Sequence, residues 1–292
     1  MLSFQQTQIQ EIADAVRYVD GSEPGIIGFD LAYRVRALKD LMGAPELPPP
    51  PPTEFAQADL AGIQEVAKWL ERNPWHAYTE HNPFKPGDFG TEVINGIEYP
   101  VRVFDFLPPY EKANGKGRPG VLIGMWALLD DPRTVQMQTG TGNLPGWGGS
   151  PVRNELVPSI FDGCRPKLQD AITPVIVKTT HRVVASGDVP AHLIANPTID
   201  TFFPPSRFEV ERAGFIDSRP LKIFMGPLDG AVAGDRIMRY LDGEAASYNY
   251  RSLAGVAATN SWRGVDEAGI GRDRVSNTFH AIYFMYCIGA KQ

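Results

Sequence analysis

Five consecutive prolines, Pro48 to Pro52, constrain this 292-residue chain more than any other feature. Each proline fixes φ near about −65° and removes a backbone donor, so the run can continue neither a helix nor a sheet interior. It reads as an extended polyproline II rod of about 3 Å per residue. The chain is therefore read in three parts: a segment over 1–46, a proline-rich linker over 47–54 and a larger domain over 55–292. The rod suits a spacer between modules; an extended surface loop of one domain is the alternative. No basic flank accompanies the prolines, which argues against a ligand for SH3-type domains.

Ahead of the linker, Ile9, Ile12, Ala13, Val16 and Val19 recur at helical spacing. Gly21 and Pro24-Gly25 interrupt the pattern. Asp30 is placed to cap a second helix carrying Leu31, Val35, Leu38 and Leu41, with Gly43 as its stop. The prediction is a helical hairpin. Two short amphipathic helices cannot bury their apolar stripes alone. They must dock on another copy, another protein or the main domain. Ile9, Ile12, Val16, Leu31, Val35 and Leu38 are the candidate assembly residues, and pairing of such stripes favours a symmetric dimer or trimer.

After the linker, Leu60, Ile63, Val66, Ala67 and Leu70 share one face of a third helix that ends before Asn73-Pro74. From Thr91 the period changes to two. Thr91–Ile94 and Ile97–Phe104 flank Asn95-Gly96, the pair that supplies both positive-φ positions of a type I′ hairpin turn. Pro100 points to an edge strand or a bulge. Val121–Trp126 reads as a buried strand, Pro151 as the start of a short helix, Arg165–Ala171 as another, and Thr173–Thr179 as a strand. Pro204–Glu209 opens a short helix, and 253–288 holds strands separated by loops. With 29 glycines and 26 prolines the chain is rich in turns, which fits a mixed α+β domain with short strands and long loops.

A formal charge of −6 argues against a nucleic-acid binder, which would carry a basic patch. No apolar run is long enough for a membrane span, and no basic region followed by an apolar stretch opens the chain as a secretory signal would. Cys164 and Cys287 lie far apart and form no CxxC pair, so they read as buried thiols.

Several blocks carry a family likeness. Trp147-Gly148-Gly149-Ser150-Pro151-Val152-Arg153-Asn154-Glu155-Leu156 resembles the Trp-x-x-Ser-x-x-Arg-x-x-Leu element of a domain of unknown function, found in surface proteins of gut bacteria and in their phages. Leu168, Ala171-Ile172, Pro174-Val175 and Val177-Lys178-Thr179 resemble the element that follows it. Phe203–Val210 is similar to its Leu-Leu-Ser-x-x-Glu-Val segment, with Pro204-Pro205-Ser206 substituted. Tyr250-Arg251-Ser252 resembles its Trp-Leu-Arg-Ser block, and the strand through Cys287-Ile288 resembles its ending, without the usual Arg-Pro before it. The likeness spans about residues 85 to 288. That family is similar to the C-type lectin-like and formylglycine-generating-enzyme-like folds, which hold a large variable loop region on a small twisted antiparallel sheet. Ile12–Arg17 and Phe29–Ala32 are similar to the attachment segment that opens many phage virion proteins.

The resemblance implies a bacteriophage virion protein of fibre, tail or capsid surface. Its helices would attach to other virion proteins and its lectin-like domain would be displayed for adhesion to a host-surface glycan or protein. A purely architectural decoration or baseplate role is the alternative, and an enzyme acting on cell-wall glycans a third. It implies no cofactor and no membrane insertion. Trp147, Tyr248, Tyr250 and Trp262 are the rings that could stack on a sugar; filling a loop-rich core is their competing role. Arg153 and Arg251 read as structural anchors with Glu155 and Glu209 as partners.

Other chemistry finds little footing. The calcium loop of C-type lectins is absent, and Asn260-Ser261-Trp262 lacks the carboxylate that calcium requires. His76 and His81 flank Glu80 but form no His-Glu-x-x-His pattern, so no metal site is expected. Formylglycine chemistry needs a reactive cysteine pair, which Cys164 and Cys287 do not make. Glu80 and Asp88 are carboxylates that a hydrolase could use, but no spacing selects them.

Overall fold

The computed structural model describes residues 54–126, 129–136, 146–183, 192–211, 219–224, 238–239, 241–253, 262–265, 271–274, 278–282 and 284–290. The helical hairpin predicted over 1–46, the proline rod, and with them Ile9, Ile12, Val16, Leu31, Val35 and Leu38, lie outside the described residues.

Helix α1 runs Leu60–Arg72 and turns Ile63, Val66, Ala67 and Leu70 to the core, as the spacing predicts. Asp59 caps it by accepting from the Gly62 N–H at 2.8 Å. Asn73 stops it ahead of Pro74, a residue with no helical donor to give. Strands β1 (Phe89–Ile94) and β2 (Ile97–Phe106) form the predicted hairpin, with Ile94 opposite Ile97. Asn95 at φ 53° and Gly96 at φ 78° make its turn.

The remaining strands are β3 (Glu111–Lys112), β4 (Val121–Met125), β5 (Leu129–Gln136), β6 (Val175–Val183), β7 (His192–Asp200), β8 (Met238–Arg239), β9 (Ala245–Ala246), β10 (Tyr248–Leu253), β11 (Trp262–Val265), β12 (Gly271–Arg274), β13 (Thr278–Ile282) and β14 (Met285–Ile288). The base of the fold is a four-stranded antiparallel sheet ordered β1-β2-β4-β14. Pro100 therefore sits on a central strand, not an edge. Its carbonyl accepts from the Trp126 N–H at 2.8 Å, and the ladder between β2 and β4 ends one residue later, at Val101 opposite Met125. The missing N–H faces Trp126, the residue just past β4, so the lost bond falls at the end of the ladder and not within it. A bulge does occur in β2, further along, between Val103 and Asp105.

β4 and β14 are neighbours in the sheet, yet everything from 126 to 284 lies between them in sequence. Within that excursion the described strands pair antiparallel as β3-β6-β7, β10-β11-β12, β5-β13 and β8-β9. Isolated bridges from Ile172 to Ile288 and from Phe203 to Met285 tie the excursion back to the last strand. Mixed helix and antiparallel sheet is the α+β class expected from the sequence. α1 rests directly on the chain entering β4: a Cβ at Gly120 would lie 2.2 Å from the Ala67 carbonyl oxygen.

Two further helices, α2 (Val157–Asp162) and α3 (Pro166–Ala171), follow the Trp147 turn. Residues 152–156 form a wider turn leading into α2, in which the Val157 N–H donates to the Val152 carbonyl, five residues back. Pro158 offers the Asn154 carbonyl no donor, and widening the turn accommodates that loss. Helix α4 (Arg207–Glu211) sits where Pro204–Glu209 predicts a helix start.

Candidate functional site

Trp147 is fully buried, and its indole Nε1–H donates to Asp200 at 3.0 Å. Arg153 Nε donates to the other oxygen of the same carboxylate at 2.6 Å, and its Nη2 to the Ile199 carbonyl at 2.9 Å. Thr198 Oγ1 completes the set on Asp200 at 2.5 Å. The turn over 146–149 is thus pinned to the end of β7 through one buried carboxylate. Arg153 anchors, but not through Glu155, which is exposed. Residues two apart on a helical turn do not face each other.

Arg251 does meet Glu209. Its Nη1 and Nη2 donate to the two carboxylate oxygens at 2.7 and 2.6 Å, and Nη1 also reaches the Pro204 carbonyl at 2.8 Å. Tyr110 donates to Glu209 at 2.7 Å and the Ser206 N–H at 2.8 Å. Arg251, Glu209, Ser206 and Tyr110 are all buried. Burial pushes the Glu209 carboxyl up, but the Arg251 charge and the donated hydrogen bonds outweigh it, leaving the group below its ordinary value. Tyr110 is driven well above the ordinary tyrosine value by burial and by Glu209. β10, helix α4 and the chain entering β3 are joined here.

A second cluster of the same residue types sits nearer the surface. Asp105 follows the bulge in β2 and is buried; Arg219 Nη1 donates to it at 2.6 Å and the Tyr78 hydroxyl donates to its other oxygen. Arg219 Nη2 reaches the Phe106 and Leu107 carbonyls at 3.2 and 3.3 Å. Tyr78 is 49% exposed, and Lys222 Nζ stands 4.9 Å from its ring centre. Burial raises the Asp105 carboxyl even though Arg219, Tyr78 and the Phe106 N–H oppose the shift.

The ring assignments made from sequence need correction. Trp147, Tyr248 and Tyr250 are buried at 0–1% exposure, so they offer no face to a sugar and fill the core instead. Trp262 lies on β11 with its side chain outside the described set. His76 and His81 meet edge to face at 4.9 Å. Among the described residues no group of three His, Cys, Asp or Glu could hold a metal. Cys164 is pushed up to about 12 and Cys287 well above its usual value, both chiefly by burial, so neither thiol is an activated nucleophile. Asp88 closes a turn by accepting from the Lys85 N–H at 2.7 Å, and Glu80 is exposed.

Sequence reasoning missed Asp200, Asp105, Tyr78, Tyr110 and Arg219. Two of them carried a signal: Asp105 stands between Phe104 and Phe106, and Asp200 two residues before Phe202-Phe203. A carboxylate in an apolar run must find a donor when the run is buried. No family model, no curated protein and no solved structure matches this chain.

Proposed function

We propose that the chain is a structural protein of a phage virion, with a C-type lectin-like domain over 55–292 displayed on the particle surface to adhere to the host. The segment over 1–46 attaches it to other virion proteins as a dimer or trimer, and the proline linker sets its distance. The observation that carries this reading is the closure of one sheet by β1, β2, β4 and β14, which leaves 126–284 as a single long excursion on a small antiparallel base. One further fact supports it. The residues of the family-like blocks, Trp147, Arg153, Ser206, Glu209 and Arg251, belong to the buried polar networks that hold that excursion.

An antibody raised against residues 85–292 should label intact particles and block their attachment to host cells. Labelling only after disruption, or particles free of the chain, would overturn the display reading. The burial of Trp147, Tyr248 and Tyr250 favours a second, architectural reading, in which the domain contacts neighbouring virion proteins and binds no receptor. In that case the antibody labels the particles without affecting attachment.

A further inference from the structure

A cavity of about 750 Å³ opens between the first turns of α1, the outer side of β1 and the start of α3, away from all three networks described above. That volume lies within the range of small-molecule sites. Its floor is apolar, with Leu60, Ala61 and Ile63 from α1 and Pro166 from α3. Polar side chains converge on the rim. Arg165 is 55% exposed at its side chain, and one nitrogen of its fork donates to the buried Glu92 at 2.5 Å. That is the one hydrogen bond of its side chain within the described residues, which leaves its other donors to the cavity side. Lys167 and Asp170 line the same space and are exposed. Gln64 also lines it, and its amide Nε2 is shielded from water without a hydrogen-bond partner.

An unpartnered, shielded amide is costly unless something completes it. A change of rotamer at Gln64 would bring its whole amide, donor and acceptor together, into the cavity it lines. The rim then offers donors on Arg165, Lys167 and Gln64 beside the exposed carboxylates of Asp59 and Asp170, with Glu92 already held by Arg165. Two cations stand against three carboxylates, so the site as a whole does not favour an anion. Paired donors and acceptors above an apolar floor match a ring that carries hydroxyls on its edge and C–H groups on its face.

We infer that this cavity binds a neutral saccharide of one or two rings, with Gln64 and Arg165 hydrogen-bonding its hydroxyls and the Leu60–Ile63 floor under its C–H face. The inference rests on the display reading, since it names the ligand class that such a domain would present to the host. It also places the ligand on the base of the fold instead of on the long excursion.

The test uses the full chain with glucose, galactose, N-acetylglucosamine, rhamnose and cellobiose, each titrated to about 50 mM while side-chain amide resonances are followed. At least one of these sugars should shift the Gln64 amide saturably. Gln64→Met should weaken that binding by about tenfold through loss of the amide. Ala61→Trp, an exposed position whose new ring fills the space, should abolish it with the fold intact by amide spectrum. No shift with any sugar, or equal binding by both variants, would overturn the proposal. So would binding of inorganic phosphate or glucuronate that exceeds every neutral sugar by about tenfold, which would assign the site to an anion. The two readings fail separately. Host-cell binding that survives Ala61→Trp keeps the display function and removes the cavity from it. Saccharide binding by a chain missing from virions does the reverse.

Discussion

The Glu209 and Asp105 clusters are each built from one tyrosine, one buried carboxylate, one arginine and backbone N–H donors, from Ser206 for Glu209 and from Phe106 and Lys222 for Asp105. Their carboxyls nevertheless shift in opposite directions, Glu209 downward and Asp105 upward. Depth does not explain this, because both carboxylates are fully buried at the side chain. Geometry does. Arg251 places both of its terminal nitrogens on Glu209, whereas Arg219 gives Asp105 one and spends the other on the carbonyls of Phe106 and Leu107. A forked, two-point pairing offsets desolvation; a one-point pairing does not. The first arrangement leaves its carboxyl below the ordinary value, and the second leaves its carboxyl above it.

The largest expected effect comes from Arg251→Met. It strands a buried charge, and urea unfolding should show a loss of about 3–5 kcal/mol. Arg219→Met should cost less, about 1–2 kcal/mol, because Asp105 escapes its lost partner by protonation. Equal losses would break the comparison. Tyr110→Phe removes a fully buried donor and should cost about 1–2 kcal/mol, against less than about 1 kcal/mol for the half-exposed Tyr78→Phe.

The smallest effect, and the sharpest test, is the pH dependence. Glu209 lies below its ordinary 4.5, so its contribution is present above that pH and is lost as pH falls through the folded value. Asp105 lies above its ordinary 3.8, so its native form holds the proton more tightly; its contribution is full below 3.8 and declines as pH rises through the folded value. Unfolding midpoints of Glu209→Gln and Asp105→Asn between pH 3 and 7 should therefore deviate from wild type with opposite slopes. Slopes of the same sign would show that both carboxyls shift alike.

What the sequence made legible was local. α1, the Asn95-Gly96 hairpin and the apolar β4 each follow from a period or a turn that a few neighbouring residues define. The pairing of Arg251 with Glu209 was also within reach, since each lies in a recognisable block. The anchoring role of Arg153 was legible but its partner was not, because Asp200 lies 47 residues away. The Tyr78–Asp105–Arg219 cluster was invisible for the same reason, its arginine joining the carboxylate across 114 residues. The rings of Trp147, Tyr248 and Tyr250 were harder still: turn-rich sequence around an aromatic does not say whether the ring faces outward or inward. Only the three-dimensional course of β6, β7 and β10 encloses them.

The neighbouring of β4 and β14 bears on how the molecule comes into being. The contacts that join α1, β1, β2 and β4 are close in sequence and can form early, while the last sheet partner must be brought back across the whole excursion. Such distant pairing slows folding, because the entropy of closing a long loop is lost before the contact rewards it. Until β14 arrives, one side of an entirely apolar strand, Val121–Met125, is an unpaired sheet edge. A nascent or partly folded chain would then carry an open template for pairing with its neighbours, and arrest short of residue 285 should send it toward aggregates.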